Sequence, residues 1–149
     1  MTSQANAAQV NTEYHRRDQE IGITAPDLSK ACTFAEHIVR ARGKRTAFTS
    51  VSLDPNSIRR FGPRCYLLLR DVLTADRHEL VEHATLMADL SREVREEEKA
   101  ARLLALRALQ YAKMRKEGLV RWTFDISRIE RKDLIVWAIQ HVQRYFKKC

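Results

Sequence analysis

Glycine is scarce in this sequence, four residues in 149, and the four are scattered. Gly22, Gly43, Gly62 and Gly118 never cluster, so neither a Walker phosphate loop nor a G-x-G-x-x-G dinucleotide turn can be built from them. Cysteine is equally sparse. Cys32, Cys65 and Cys149 are odd in number and far apart, which predicts no disulfide framework and no C-x-x-C metal pair. Three buried or incidental thiols suit a reducing compartment. No apolar run approaches the roughly 18–20 residues that span a bilayer, and the leading MTSQANAAQVNTEYHRR lacks the apolar core of a signal peptide. Of the five histidines, His78 and His83 fit no compact zinc motif, so no metal is expected. There is no G-x-S-x-G elbow for a serine hydrolase.

The length and a hydrophobic content of 44% fit one globular domain with a core of its own. Residues 1–12 are small and polar and read as a disordered leader, leaving 13–149 as the domain. The net charge is +8, unevenly distributed. Residues 107–149 hold 11 Lys and Arg against 4 Asp and Glu, and the first 106 hold 16 against 15. Such a basic third suits a polyanion or an acidic partner protein, or is a solvated surface that maintains solubility.

Periodicity gives the elements. A short edge strand is expected around Tyr14. Asp27 or Ser29 is expected to cap a helix through Ala31, Phe34, Ala35, Ile38 and Val39 that ends at Gly43. Ala47–Leu53 reads as a strand. Asp54-Pro55 starts a short helix that Gly62 stops, and Cys65–Leu69 is a buried strand. Residues 74–116 are helical, with an exposed junction at 92–99. The alternation of Val120, Trp122, Phe124 and Ile126 predicts a strand over 119–126. Ser127 and Glu130 match a capping box for a last helix running through Leu134, Ile135, Ala138, Ile139, Val142 and Phe146. Helices interspersed irregularly with strands predict an α+β fold.

The segment FAEHIVRARGKRTAFTSVSLDPNSIRRFG, from Phe34 to Gly62, resembles the middle motif of ADP-ribosyltransferases: a helix with F-x-x-H, a strand with a Ser-Thr-Ser-like phrase, then a short helix ending near Phe-Gly. The segment RKEGLVRWTFDISRI resembles the phrase around that family's catalytic glutamate. The resemblance implies a compact domain with a small split antiparallel or mixed sheet flanked by helices. It implies NAD as the ADP-ribose donor, without a metal. Glu117 would be catalytic, with Ser50 and Thr49 on the strand beside it. Arg16 would grip NAD, with His15, Thr49, Ser50, Ser52 and Phe61 completing that site; Arg40, Arg42 or Arg45 would replace Arg16 if it fails. The family's usual E-x-E doublet is replaced by Arg115 before Glu117, which argues against an arginine acceptor. The arrangement is similar to C-terminal toxin domains of bacterial Rhs-type polymorphic toxins. That implies secretion-mediated delivery into a target cell's cytoplasm, a monomer, and an acidic cognate immunity protein.

The basic residues Arg121, Arg128, Arg131, Lys132, Lys147 and Lys148 would hold the acceptor, with RNA or another nucleic acid first and protein second. No membrane partner is expected. Two rival readings stay open. One is a metal-independent ribonuclease using His15 or His141 with a carboxylate. The other is a non-enzymatic nucleic-acid-binding module.

Overall fold

The computed structural model describes residues 12–39 and 45–149. The expected leader, apart from Thr12, and Gly43, Arg40 and Arg42 lie outside the described residues. Six strands, β1 (His15–Asp18), β2 (Phe48–Ser52), β3 (Arg64–Leu68), β4 (Glu79–Val81), β5 (Glu117–Arg121) and β6 (Phe146–Lys148), form one sheet in the order β4-β5-β2-β1-β3-β6. Every pairing is antiparallel. Among the described residues five α-helices flank it: α1 (Phe34–Val39), α2 (Arg70–Ala75), α3 (His83–Glu96), α4 (Lys99–Arg115) and α5 (Leu134–Val142). The α+β class is as expected, and the sheet is single and wholly antiparallel.

Alternation along the strands divides the core into two layers. Phe48 and Leu119 face one side with Val81, where Ala35 and Ile38 of α1, Leu86 and Leu90 of α3, and Ala108 and Ala112 of α4 cover them. Val51 and Val120 face the other side with Tyr14, Tyr66 and Leu68, covered by Leu73 of α2, Val142 of α5 and the aromatic pair Tyr145 and Trp122. The charged junction falls where expected, since α3 ends at Glu96 and α4 begins at Lys99.

Several local expectations are corrected. The strand near Tyr14 lies in the middle of the sheet, between β2 and β3, because Tyr14 is buried and anchors both backbone and side chain: its carbonyl accepts Leu68 N–H and its hydroxyl accepts His83 N–H. The first helix begins at Phe34. Asp27 instead closes a local turn with Ser29 and Lys30, and a reciprocal box between Thr33 and Glu36 starts α1. β5 stops at Arg121 because Thr123 N–H turns to His78 Nδ1 and Trp122 Nε1–H to Thr49 Oγ1. The Ser127 capping box does not form. Ser127 N–H goes to the Asp125 carboxylate, and α5 starts at Leu134 after a 3-10 turn. Phe146 leaves the helix to open β6. The short β4 sits inside the stretch expected to be helical. Cys65 and Cys149 form a disulfide, with Cα atoms 5.4 Å apart. Antiparallel pairing of β3 with β6 brings together two cysteines whose spacing of 84 residues carried no local signal. Two of the three cysteines are therefore not free thiols, contrary to the expectation of three thiols in a reducing compartment. Among the described residues no helix is long and apolar enough to cross a membrane.

The joint between β1 and β2 positions the site. These central strands share one residue pair, His15 with Ser52, whereas β2 and β5 pair over five residues. Beyond that pair β1 and β2 diverge and leave a cleft. Asp18, which lines the cleft, packs against Gly62, whose φ of +148° and close approach to the Asp18 backbone leave no room for a side chain; a Cβ there would lie 2.3 Å from the Asp18 carbonyl. Gly62→Ala is therefore expected to destabilise the fold by about 2 kcal/mol or more, read as a lowered midpoint in urea unfolding. An unchanged midpoint would show that the β1 end can move away freely.

Candidate active site

The cleft has a volume of about 400 Å³ and is lined by residues of three adjacent central strands, of α1 and of the C-terminal end of α4. That size falls within the range of small-molecule sites. Arg16 comes from β1, Ser50 from β2, Glu117 from the first position of β5, and His37 from α1. Glu117 reaches its position through Lys116, the left-handed residue (φ +45°) that ends α4 and turns the chain directly into the sheet. Gly118 follows because the Tyr14 ring lies where a Cβ would stand, 2.7 Å from its Cε1.

The polar groups form one chain. Ser50 Oγ donates to Glu117 Oε2 at 2.9 Å, and His37 Nε2 lies 2.7 Å from the same hydroxyl. His37 Nδ1 contacts Thr46 Oγ1, which accepts Phe48 N–H. Arg16 spans the gap between the diverging strands. Its Nη1 donates to the Ser50 carbonyl and its Nε to Asp18 Oδ2, both at 2.9 Å. Asp18 in turn accepts from Thr24. Two of the five guanidinium N–H groups are thus used in holding Arg16 in place.

Glu117 is fully enclosed, 2% exposed. Burial pushes its carboxyl up to about 7, although the Ser50 hydrogen bond and the charges of Arg115 and Arg16 favour the ionised form. Arg115 Nη1 stands 3.7 Å from Glu117 Oε1, too long for a hydrogen bond. Both Glu117 Oε1 and Arg115 Nε are buried without a hydrogen-bond partner among the described residues. The Arg115 guanidinium is held instead over the rings of Phe61 and Tyr111. Burial, aided by the Arg16 charge, lowers His37 to about 4, so its imidazole is neutral near neutrality.

Of the residues expected from sequence, the fold brings Glu117, Ser50, Arg16 and Phe61 together on the cleft. Thr49 borders it too, but its hydroxyl lies on the opposite face of the sheet and accepts the Trp122 indole N–H. Ser52 is buried away from the cleft. Its hydroxyl reaches the carbonyls of Arg115 and Asp54 and accepts Asp54 N–H, tying the end of α4 to β2. His15 lies outside the lining, with Nδ1 buried and unpartnered among the described residues. Arg45 lines the mouth and pairs with Glu20. None of the six residues expected to hold the acceptor lines the cleft. Arg121 pairs with Glu79, Lys132 pairs with Glu130, and Lys147 and Lys148 lie on β6, four strands away from β5. The cations on the cleft are Arg16, Arg17, Arg45 and Arg115, and Arg59 and Arg60 stand with Arg17 around a shallow groove that shares Arg17 and Gln19 with it.

Sequence reasoning assigned no role to His37, Thr46 or Asp18, and used Arg115 only as a departure from a motif. The available signal for His37 was the spacing Phe34-x-x-His37: both rings pack edge-on against Phe48, so the histidine faces the sheet. No cluster of His, Cys, Asp and Glu suited to a metal occurs among the described residues. No family model, curated protein or solved structure matches the chain.

The raised Glu117 carboxyl has a cost in stability. Its contribution is greatest below the ordinary carboxylate pKa, near 4.5, and is lost as pH rises through about 7. The lowered His37 acts in the opposite sense, removing stability as pH falls from 6.5 toward 4. Comparing Glu117→Gln with the parent isolates the first effect. The variant is expected to be more stable by on the order of 2 kcal/mol at pH 8 and by little at pH 4.5, measured by chemical denaturation. A gap that does not widen with pH would show that the carboxyl titrates normally.

Proposed function

We propose that the cleft binds NAD and transfers its ADP-ribose to a macromolecular acceptor, and one observation carries the reading. Arg16, Ser50 and Glu117, expected from three separated segments, converge from adjacent strands on one cleft, and Ser50 donates to the enclosed carboxylate. The chemistry asks for these groups. As the bond between nicotinamide and the ribose C1 breaks, its electron pair leaves with nicotinamide and the sugar becomes oxocarbenium-like. A carboxylate in a water-poor site stabilises that cation most. Glu117 Oε2 is occupied by Ser50, whereas Oε1 is buried without a hydrogen bond among the described residues and faces Arg115, so a small shift of that guanidinium would open Oε1 to a ribose hydroxyl. The acceptor then attacks C1 and loses a proton to solvent, which balances the reaction.

Arg16, fixed by Asp18 and the Ser50 carbonyl, has donors left for a diphosphate. Phe61 supplies an apolar surface beside Arg115. A guanidinium two residues before the catalytic carboxylate disfavours a cationic acceptor, so an arginine side chain is a poor candidate. The net positive charge supports a nucleic-acid acceptor first and an acidic protein second. With Rhs-type toxin domains as the resemblance, an acidic immunity protein covering the cleft fits the same charge.

The experiment is incubation of the protein with labelled NAD and cell lysate, with and without RNase. Label in macromolecules is expected with the parent and is expected to fall by about 100-fold or more in Glu117→Ala. Loss of label on RNase treatment would assign the acceptor to RNA. Because the ionised carboxylate is the active form, kcat/KM for nicotinamide release is expected to rise with pH and to level off above about 7. A folded protein that releases no nicotinamide and labels nothing would overturn the reading.

A further inference from the structure

We propose that His37 is a positioning residue for the carboxylate: its Nε2–H donates to the Ser50 hydroxyl, which commits that hydroxyl's single proton to Glu117 Oε2 and leaves Oε1 free for substrate. The inference rests on the transferase reading for the word substrate, and on hydrogen-bond counting for the rest.

A serine hydroxyl has one proton and can donate once. Ser50 Oγ lies 2.7 Å from His37 Nε2 and 2.9 Å from Glu117 Oε2. With the carboxylate ionised, Oε2 can only accept, so the proton between it and Ser50 must come from the hydroxyl. The hydroxyl then has only lone pairs to offer the imidazole, and Nε2 must carry a hydrogen. A neutral imidazole has one N–H, so Nδ1 must accept. Its partner is Thr46 Oγ1, a hydroxyl that can donate and that is itself oriented by accepting Phe48 N–H. Every link from Phe48 N–H to Glu117 then runs in one direction. The environment favours the neutral ring this requires: His37 packs edge-on against Phe48, and burial together with the Arg16 charge opposes protonation.

The charged groups that bear on the chain come from three elements. Arg16 on β1, itself paired with Asp18, acts on both His37 and Glu117. Arg115 at the end of α4 acts on Glu117. From α3, His83 Nδ1 meets the Glu117 main-chain carbonyl. Among the described residues Oε2 takes its hydrogen bond from Ser50, while Arg16 is bound to the Ser50 carbonyl and Asp18 and Arg115 faces Oε1.

His37→Leu removes the donor, and Ser50 is then free to turn from the carboxylate. The Glu117 midpoint, followed by carboxyl-carbon NMR and assigned with Glu117→Gln, is expected near 7 in the parent and higher by about half a pH unit or more in His37→Leu. His37→Gln, which can place an amide N–H on Ser50, is expected to return the midpoint most of the way. Thr46→Val, nearly isosteric, releases the tautomer and also removes the acceptor of Phe48 N–H; it is expected to shift the midpoint in the same direction as His37→Leu by a smaller amount, which keeps the test valid if the leucine variant does not fold. In nicotinamide release, His37→Leu is expected to lower kcat by roughly 10-fold with KM for NAD little changed, and to move the acid limb with the midpoint. Unchanged midpoints in both His37→Leu and Thr46→Val would overturn the proposal. Shifted midpoints in a protein that releases no nicotinamide would support the positioning role and remove the transferase reading.

Discussion

The enclosed carboxylate of Glu117 is held by the Ser50 hydroxyl of β2 where the sheet opens into the cleft beside the one-pair joint between β1 and β2. An antiparallel ladder satisfies its own carbonyls. Where β1 departs, the Ser50 carbonyl loses that partner, and the Arg16 guanidinium takes its place. The same side chain therefore repairs the sheet and brings positive charge to the cleft. Asp18 and Thr24 fix it from behind, and Gly62 lets the chain pass close to the Asp18 backbone.

The two oxygens of Glu117 are treated differently. One is hydrogen-bonded to Ser50, and the other is enclosed without a hydrogen bond among the described residues and faces a guanidinium held at a distance by two aromatic rings. A closer ion pair would lower the carboxyl pKa and stabilise the fold, but it would occupy the oxygen that the proposed reading leaves to a ligand. Groups whose environment is left incomplete in this way are characteristic of functional sites.

Much of this was legible in the sequence, and the reasons differ by element. The apolar positions Phe34, Ala35 and Ile38 follow from local period and place α1 over the sheet, whereas Leu86 and Leu119 are buried outside the expected periodicity, Leu119 on the strand face opposite Val120. Arg16, Ser50 and Glu117 were legible through motif phrases, although only the fold could set them side by side. β4 and β6 were not legible, because each is three residues long and is held by long-range pairing rather than by its own pattern. β5 was read as too long because alternation continues to Ile126 while the hydrogen bonds turn away to His78. His37 was hidden because its importance depends on two hydroxyls nine and thirteen residues away. The basic residues near the C-terminus were read as one group because they are close in sequence, whereas sheet order separates β6 from β5.

The bond between Cys65 and Cys149 closes the chain between them into a covalent ring. Unfolding does not open that ring. With the disulfide intact the denatured molecule still carries a closed loop, and any pore that loop traverses must admit two strands abreast. With the disulfide reduced it is a single thread. The molecule's ability to pass a narrow opening is thus a property of its oxidation state, separate from whether it is folded.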